Sequence, residues 1–125
     1  MNISWTTFLS CAIILLVIDF IYLHLTSSIF QRVVRRIQGG IPLTLNWMGG
    51  LLSYACLVIA LYVFILLPNY PPSIGFLLGF CIYGVFDGTT IALFDAYPWS
   101  VAWMDTLWGG VLFMTVTYII QMIFA

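Results

Sequence analysis

The sequence predicts an all-α fold: a four-helix transmembrane bundle with a short interfacial amphipathic helix between helices one and two. Three observations carry that expectation. Apolar residues make up 64% of the 125 residues and charged residues only 6%, with a mean hydropathy of +1.17, whereas soluble domains are about a quarter charged. A hydrocarbon core about 30 Å thick needs about 20 apolar residues per spanning helix, and four such runs fit, near residues 4–25, 46–67, 73–93 and 100–123. The stretches between them hold helix-stopping residues: Gly39-Gly40, then Pro68, Pro71 and Pro72, then Pro98. The length suits one domain over residues 1–125.

The first run has no basic residue ahead of it and no A-x-A-like site after it, so it reads as a retained helix, not a secretory signal. Beyond it lies SSIFQRVVRRIQGG. Ile29, Phe30, Val33, Val34 and Ile37 recur there at helical spacing, with Gln31, Arg32, Arg35 and Gln38 on the other side. This pattern predicts an amphipathic helix in the interface, its arginines toward anionic headgroups; a bare solvated turn is the plainer reading. Helix two opens at Asn46-Trp47 and closes before Pro68. Helix three carries Gly75, Gly79, Gly84 and Gly88, small residues that let backbones approach closely in lipid. It is therefore expected to be the central helix, although the same pattern could mediate dimerisation. Helix four contains Trp103, Asp105, Trp108 and Gly109-Gly110.

All three basic side chains, Arg32, Arg35 and Arg36, lie between helices one and two. The positive-inside rule puts that segment in the cytoplasm or an equivalent compartment. Trp5 and Tyr70 then fall near the far interface, and Trp47, Tyr97 and Trp99 near the arginine side, as an aromatic belt would have it. With no lysine and no basic tract, the chain is not expected to bind nucleic acid. Cys11, Cys56 and Cys81 fall inside the spans without C-x-x-C spacing, which supports neither a disulfide framework nor a zinc site. His24 has no second histidine to complete a metal site, and no nucleophile elbow or phosphate loop occurs. No cofactor is expected, and catalysis has no residue set to rest on.

The carboxylates are the informative residues. Asp19 and Asp87 each lie about six residues, or roughly 9 Å, from the arginine-side end of their helices, and Asp105 about five residues. Asp95 lies in the turn just below. A charge inside a span is costly, by about 2.5–3.5 kcal/mol at the centre on insertion scales, so such groups face protein or a wet cavity. Two readings stay open. In one, the aspartates pair with Arg32, Arg35, Arg36 or the indoles of Trp103 and Trp108 and tie helix ends together. In the other, the layer lines a one-sided polar vestibule for a cation, a proton or a headgroup. Two approaching carboxyls would share a proton, as coupled pairs do.

The run YGVFDGTTIALF, then YPW and VAWMDTLWGGVL, resembles the C-terminal half of a mainly bacterial family of small four-helix predicted membrane proteins classed as a domain of unknown function. Asp19 with Tyr22, and Asn46-Trp47, resemble its first half. Where such relatives read Asp-Leu-Thr-Asn, this chain reads Asp87-Gly88-Thr89-Thr90, and Gly-Trp-Pro becomes Ala96-Tyr97-Pro98. The resemblance implies a four-helix membrane bundle and brings no activity or catalytic residue.

Three functions fit the sequence. The first is a channel, carrier or proton-linked module built on Asp19, Asp87 and Asp105, working as a homo-oligomer. The second is a non-catalytic structural or assembly subunit of a larger membrane complex, with the glycine faces docking neighbours. The third is a protein that binds or modifies lipid, holding headgroups on Arg32, Arg35 and Arg36.

Overall fold

The computed structural model describes residues 4–125. Four helices are long and apolar enough to span a membrane: α1 (Trp5–Ile37), α2 (Trp47–Leu66), α3 (Pro72–Leu93) and α4 (Trp99–Ile123). The ends are set by local chemistry. Ser4 caps α1 by accepting from the Thr7 amide, and Asn46 caps α2 by accepting from the Gly49 amide at 3.1 Å. At the end of α1, Gly39 and Gly40 take positive φ, and the Gly40 amide bonds back to the Arg35 carbonyl, which closes the helix in the Schellman manner. Pro72 occupies the first turn of α3, where its missing N–H leaves no bond unmade.

The amphipathic segment is helical, and it continues α1 without a break. At 33 residues the helix is about 50 Å long, well beyond a hydrocarbon core of about 30 Å. Its extension docks on the protein: Val33 is buried with Tyr97, Val101 and Ala102, and Ile29, Phe30 and Ile37 pack alongside. The apolar stripe that suggested a helix lying on lipid covers the α3–α4 turn instead, while Arg32, Arg35 and Arg36 stay exposed.

The last turn of α2, Tyr62–Leu66, widens to a π-helix, with the Leu67 amide donating to the Tyr62 carbonyl. It lies just ahead of Pro68, which has no N–H to continue an α-helical ladder. Leu61, Tyr62 and Ile65 are all buried in the core at this end of α2. There the Tyr62 hydroxyl accepts from the Ser4 amide at 2.7 Å and donates to the Ser4 carbonyl at 3.2 Å.

The central helix is α4, which corrects the expectation for helix three. Of its apolar span 44% is buried, against 11% of that of α3. Its residues Leu112, Phe113, Val116 and Ile120 form the core with Cys11 and Leu15 of α1 and Val58, Leu61 and Ile65 of α2. The small residues of α3 serve one intimate partner. A Cβ on Gly79 would overlap the Gly109 carbonyl and come within 2.8 Å of the Phe113 Cβ, and one on Gly75 would lie 2.7 Å from the Thr117 hydroxyl. In return, Gly109 and Gly110 receive the rings of Tyr83 and Phe76. Gly84 makes only ordinary contact with Thr106, and Gly88 faces open space, so the close contact stops short of the last glycine in the pattern. Four-residue spacing reports how near a neighbour comes; it does not report how many neighbours there are.

Replacing Gly79 by leucine must push α3 off the α4 backbone and is expected to destabilise the protein by about 3 kcal/mol, whereas Gly88→Ala should stay within about 0.5 kcal/mol. Unfolding in detergent mixtures, followed by circular dichroism, measures both.

Candidate functional site

Each of the three intramembrane aspartates is met by uncharged donors. Asp19 is 4% exposed and Asp87 1%, burial that no carboxyl sustains without hydrogen bonds. On α1, Asp19 accepts from the Trp108 indole at 2.8 Å and, through its other oxygen, from the Tyr54 hydroxyl of α2. On α4, Asp105 accepts from the Tyr22 hydroxyl of α1 at 3.1 Å. Because α1 and α4 run antiparallel, the pair Asp19 and Tyr22 meets the pair Trp108 and Asp105 in reverse order. Each helix thus gives one donor and one acceptor to the other. The Tyr22 and Trp108 rings stack between these bonds, with centroids 4.5 Å apart and planes within 2°.

Asp87 of α3 adjoins that clasp. It accepts from the Tyr97 hydroxyl at 2.7 Å and the Thr106 hydroxyl at 3.1 Å, and its carboxyl is close enough to that of Asp105 to interact directly. Tyr97 sits in the turn between α3 and α4, outside the spans. Burial above all, and then its bond to Asp87, raises the pKa of its hydroxyl from the ordinary value, so it remains a donor. Asp95 is exposed in the same turn.

The arginines take no part in these bonds. Arg32 donates through Nε to the Ser28 carbonyl of its own helix at 3.4 Å, and all three guanidinium side chains are exposed. Trp103 is exposed too, at 55%. Of the ion-pair and indole partners anticipated from the sequence, Trp108 alone is bonded to an aspartate here; tyrosines and a threonine supply the rest. Buried side-chain oxygens and nitrogens are all hydrogen-bonded among the described residues. Tyrosine is well suited to the task, since it brings a donor into lipid without a second charge. Thr90, near the layer, bonds back to the Phe86 carbonyl at 2.7 Å and so needs no other partner.

A cavity of about 730 Å³ opens beside the layer, among α1, α2 and α3. Asp19, Asp105, Tyr22, Tyr54 and Tyr83 supply its polar side, and Leu52, Leu57, Ile82 and Phe86 are among its apolar walls. Phe30, Val33 and Ile37 of the α1 extension and Phe94 of the turn line it toward the arginine end. A second cavity, of about 620 Å³, lies at the opposite end, bounded by Ser4, Thr7, Tyr62, Asn69 and Gln121. The apolar core around Leu15, Leu61, Leu112 and Phe113 lies between the two. Among the described residues no three His, Cys, Asp or Glu side chains gather as metal ligands, and His24 is exposed.

Sequence reasoning placed the carboxyls and missed most of their donors. Tyr97 reads from the sequence as an aromatic-belt residue, and Tyr54 and Thr106 carry no distinguishing signal. The one readable clue was the matched spacing of Asp19 with Tyr22 and of Asp105 with Trp108, three residues each, on two helices that must run antiparallel.

A family model described as Predicted membrane protein (DUF2177) matches residues 4–122. No curated protein and no solved structure matches the chain.

Replacing Tyr97 by phenylalanine leaves one oxygen of Asp87 without its donor and should cost about 1–3 kcal/mol. The same variant has a pH signature. A tyrosine whose folded pKa is raised contributes stability that is present below its unfolded pKa of about 10 and is lost as pH rises beyond it, because only the unfolded chain then releases the proton. Tyr97→Phe should therefore shrink the alkaline loss of stability, as read from unfolding titrations at pH values on both sides of that point. In a double-mutant cycle, Tyr22→Phe and Trp108→Phe should show a coupling of about 0.5–3 kcal/mol, since the two rings stack and share the clasp; additive effects would mean that the two bonds act independently.

Proposed function

The chain belongs to the DUF2177 family of predicted membrane proteins, and we propose that it works as a small carrier whose substrate meets the aspartate–tyrosine layer from the arginine end. The observation that supports this reading is the cavity beside Asp19 and Asp105, bounded toward the opposite end by the apolar core. A channel needs a continuous polar path, and the buried side chains of Leu15, Leu61, Leu112 and Phe113 interrupt one. Cavities at both ends of the bundle, separated by a core, suit alternating exposure of a central site.

The wide turn of α2 lies within that core, and such turns are frequent at functional sites. Asp105 is the carboxyl placed to meet a substrate: it lines the cavity and takes one neutral donor where Asp19 takes two, with Asp87 behind it. The cavity forms within one chain, so binding does not call for a second copy. The exposed arginines orient its mouth toward the cytoplasm or an equivalent compartment. An assembly subunit would dock neighbours on its glycine faces; Gly75 and Gly79 are taken up by α4, which leaves Gly50 and Gly88 for such contacts.

Cys56 is exposed and lines the cavity, and Cys11 is buried in the core, so in a Cys81→Ala protein a membrane-impermeant thiol reagent reads Cys56 alone. In oriented vesicles a carrier should let the reagent reach Cys56 from either side, faster from the arginine end. Reaction from the arginine end only would reduce the protein to a one-sided binding module and overturn the carrier reading.

A further inference from the structure

The lining of the arginine-end cavity restricts what can occupy it. We propose that the occupant is a lipophilic cation, an amphiphile whose positive head meets Asp19 and Asp105 and whose apolar body reaches the cavity from the bilayer between α2 and α3. This deepens the carrier reading and rests on it for its biological sense, but the observations behind it are separate.

Charge comes first. No arginine, lysine or histidine lines the cavity, while two carboxyls do. One oxygen of Asp105 takes the Tyr22 hydroxyl, and the Asp87 carboxyl stands beside it as a further negative group. An anion brought there would meet two carboxyls at low dielectric, where repulsion is strong. A cation would find the complement of its charge.

Aromatic rings add to the selection. Tyr22, Tyr83, Phe86, Phe94 and Tyr97 all contribute to the lining, and the face of an aromatic ring attracts a cation within about 6 Å of its centre. The Tyr83 hydroxyl also lines the cavity, and by turning its proton aside it can accept from a head group. A small inorganic cation would leave most of the cavity empty and its apolar walls against water. The volume of about 730 Å³ falls in the range of about 300–1,000 Å³ that holds drug-sized ligands.

The route follows from packing. α2 is tied to α1 at two levels, through Tyr54 to Asp19 and Tyr62 to Ser4, whereas it touches α3 at few places. Ser53 and Cys56 of α2 and Phe86 of α3 are exposed along that gap and line the cavity. An amphiphile already dissolved in the bilayer can therefore slide in sideways without crossing the headgroup layer as a bare cation.

The test uses two probes of like shape and opposite charge, tetraphenylphosphonium and tetraphenylborate, on Cys81→Ala protein in neutral-lipid nanodiscs. Alkylation of Cys56 by N-ethylmaleimide is timed with each. The phosphonium should slow alkylation tenfold or more and the borate should not, and Asp105→Asn should abolish the protection while Asp105→Glu restores most of it. Equal protection by the borate, or full protection in Asp105→Asn, would overturn the ligand class; the comparison of the two probes on unsubstituted Asp105 decides the matter even if the variants fail to fold. Protection by the cation combined with one-sided reactivity of Cys56 would keep the ligand class and remove the carrier. Two-sided reactivity with no preference for the cation would keep the carrier and remove the ligand class.

Discussion

The crossed hydrogen bonds between α1 and α4, Trp108 to Asp19 and Tyr22 to Asp105, fix the arrangement on which the rest of the molecule depends. In a bilayer no water stands ready to satisfy a buried carboxyl, so each aspartate must find its donors within the protein. Two donors and two acceptors, three residues apart on each helix, can be satisfied together only when the helices run antiparallel in one register. The stacked rings of Tyr22 and Trp108 hold that register from within. Polar bonds thereby do in lipid what apolar burial does in water: they specify one alignment among many that would pack equally well.

From that register the rest of the bundle follows. α4 carries α3 on its other side through contacts that glycine alone permits at Gly79 and Gly109, and Asp87 is drawn to Thr106 and Tyr97. α2 packs on the shared core through Val58, Leu61 and Ile65, and its interhelical hydrogen bonds run to the α1 side. The Tyr54 and Tyr62 hydroxyls anchor it at two heights, each with a phenylalanine of α1 packed edge-on against the tyrosine ring. A bundle in which α3 leans on α4 and α2 leans on α1 leaves a space between α2 and α3. The cavity is the geometric consequence of that uneven pairing, and its polar side is the part of the aspartate layer that the space uncovers.

Neutral donors also change what the layer can do. A carboxyl locked to a guanidinium is an ion pair whose charge is already answered; one held by tyrosine keeps its appetite for a cation or a proton. Had the arginines reached the aspartates, the layer would be a strut. They remain on the exposed side of the α1 extension, and the layer stays electrostatically open toward the cavity.

The sequence by itself determined the four spans, the end of the bundle at which the polar residues lie and the inward placement of Asp19 and Asp87. These are sums along the chain: hydropathy over about 20 residues, rise per residue and the cost of a charge in lipid each act locally and leave a local trace. Only the tertiary structure decided that α4 is the hub, that the amphipathic segment prolongs α1 and covers the α3–α4 turn, and that tyrosines take the place of arginines. The donors of Asp19 and Asp105 lie 35, 83 and 89 positions away in sequence, and a choice among hydroxyls, indoles and guanidinium groups at that distance depends on which helix faces which. Helix-to-helix facing is settled by close approach at a few glycines and by the pairing of a few polar groups, and neither is written in the periodicity of any one span.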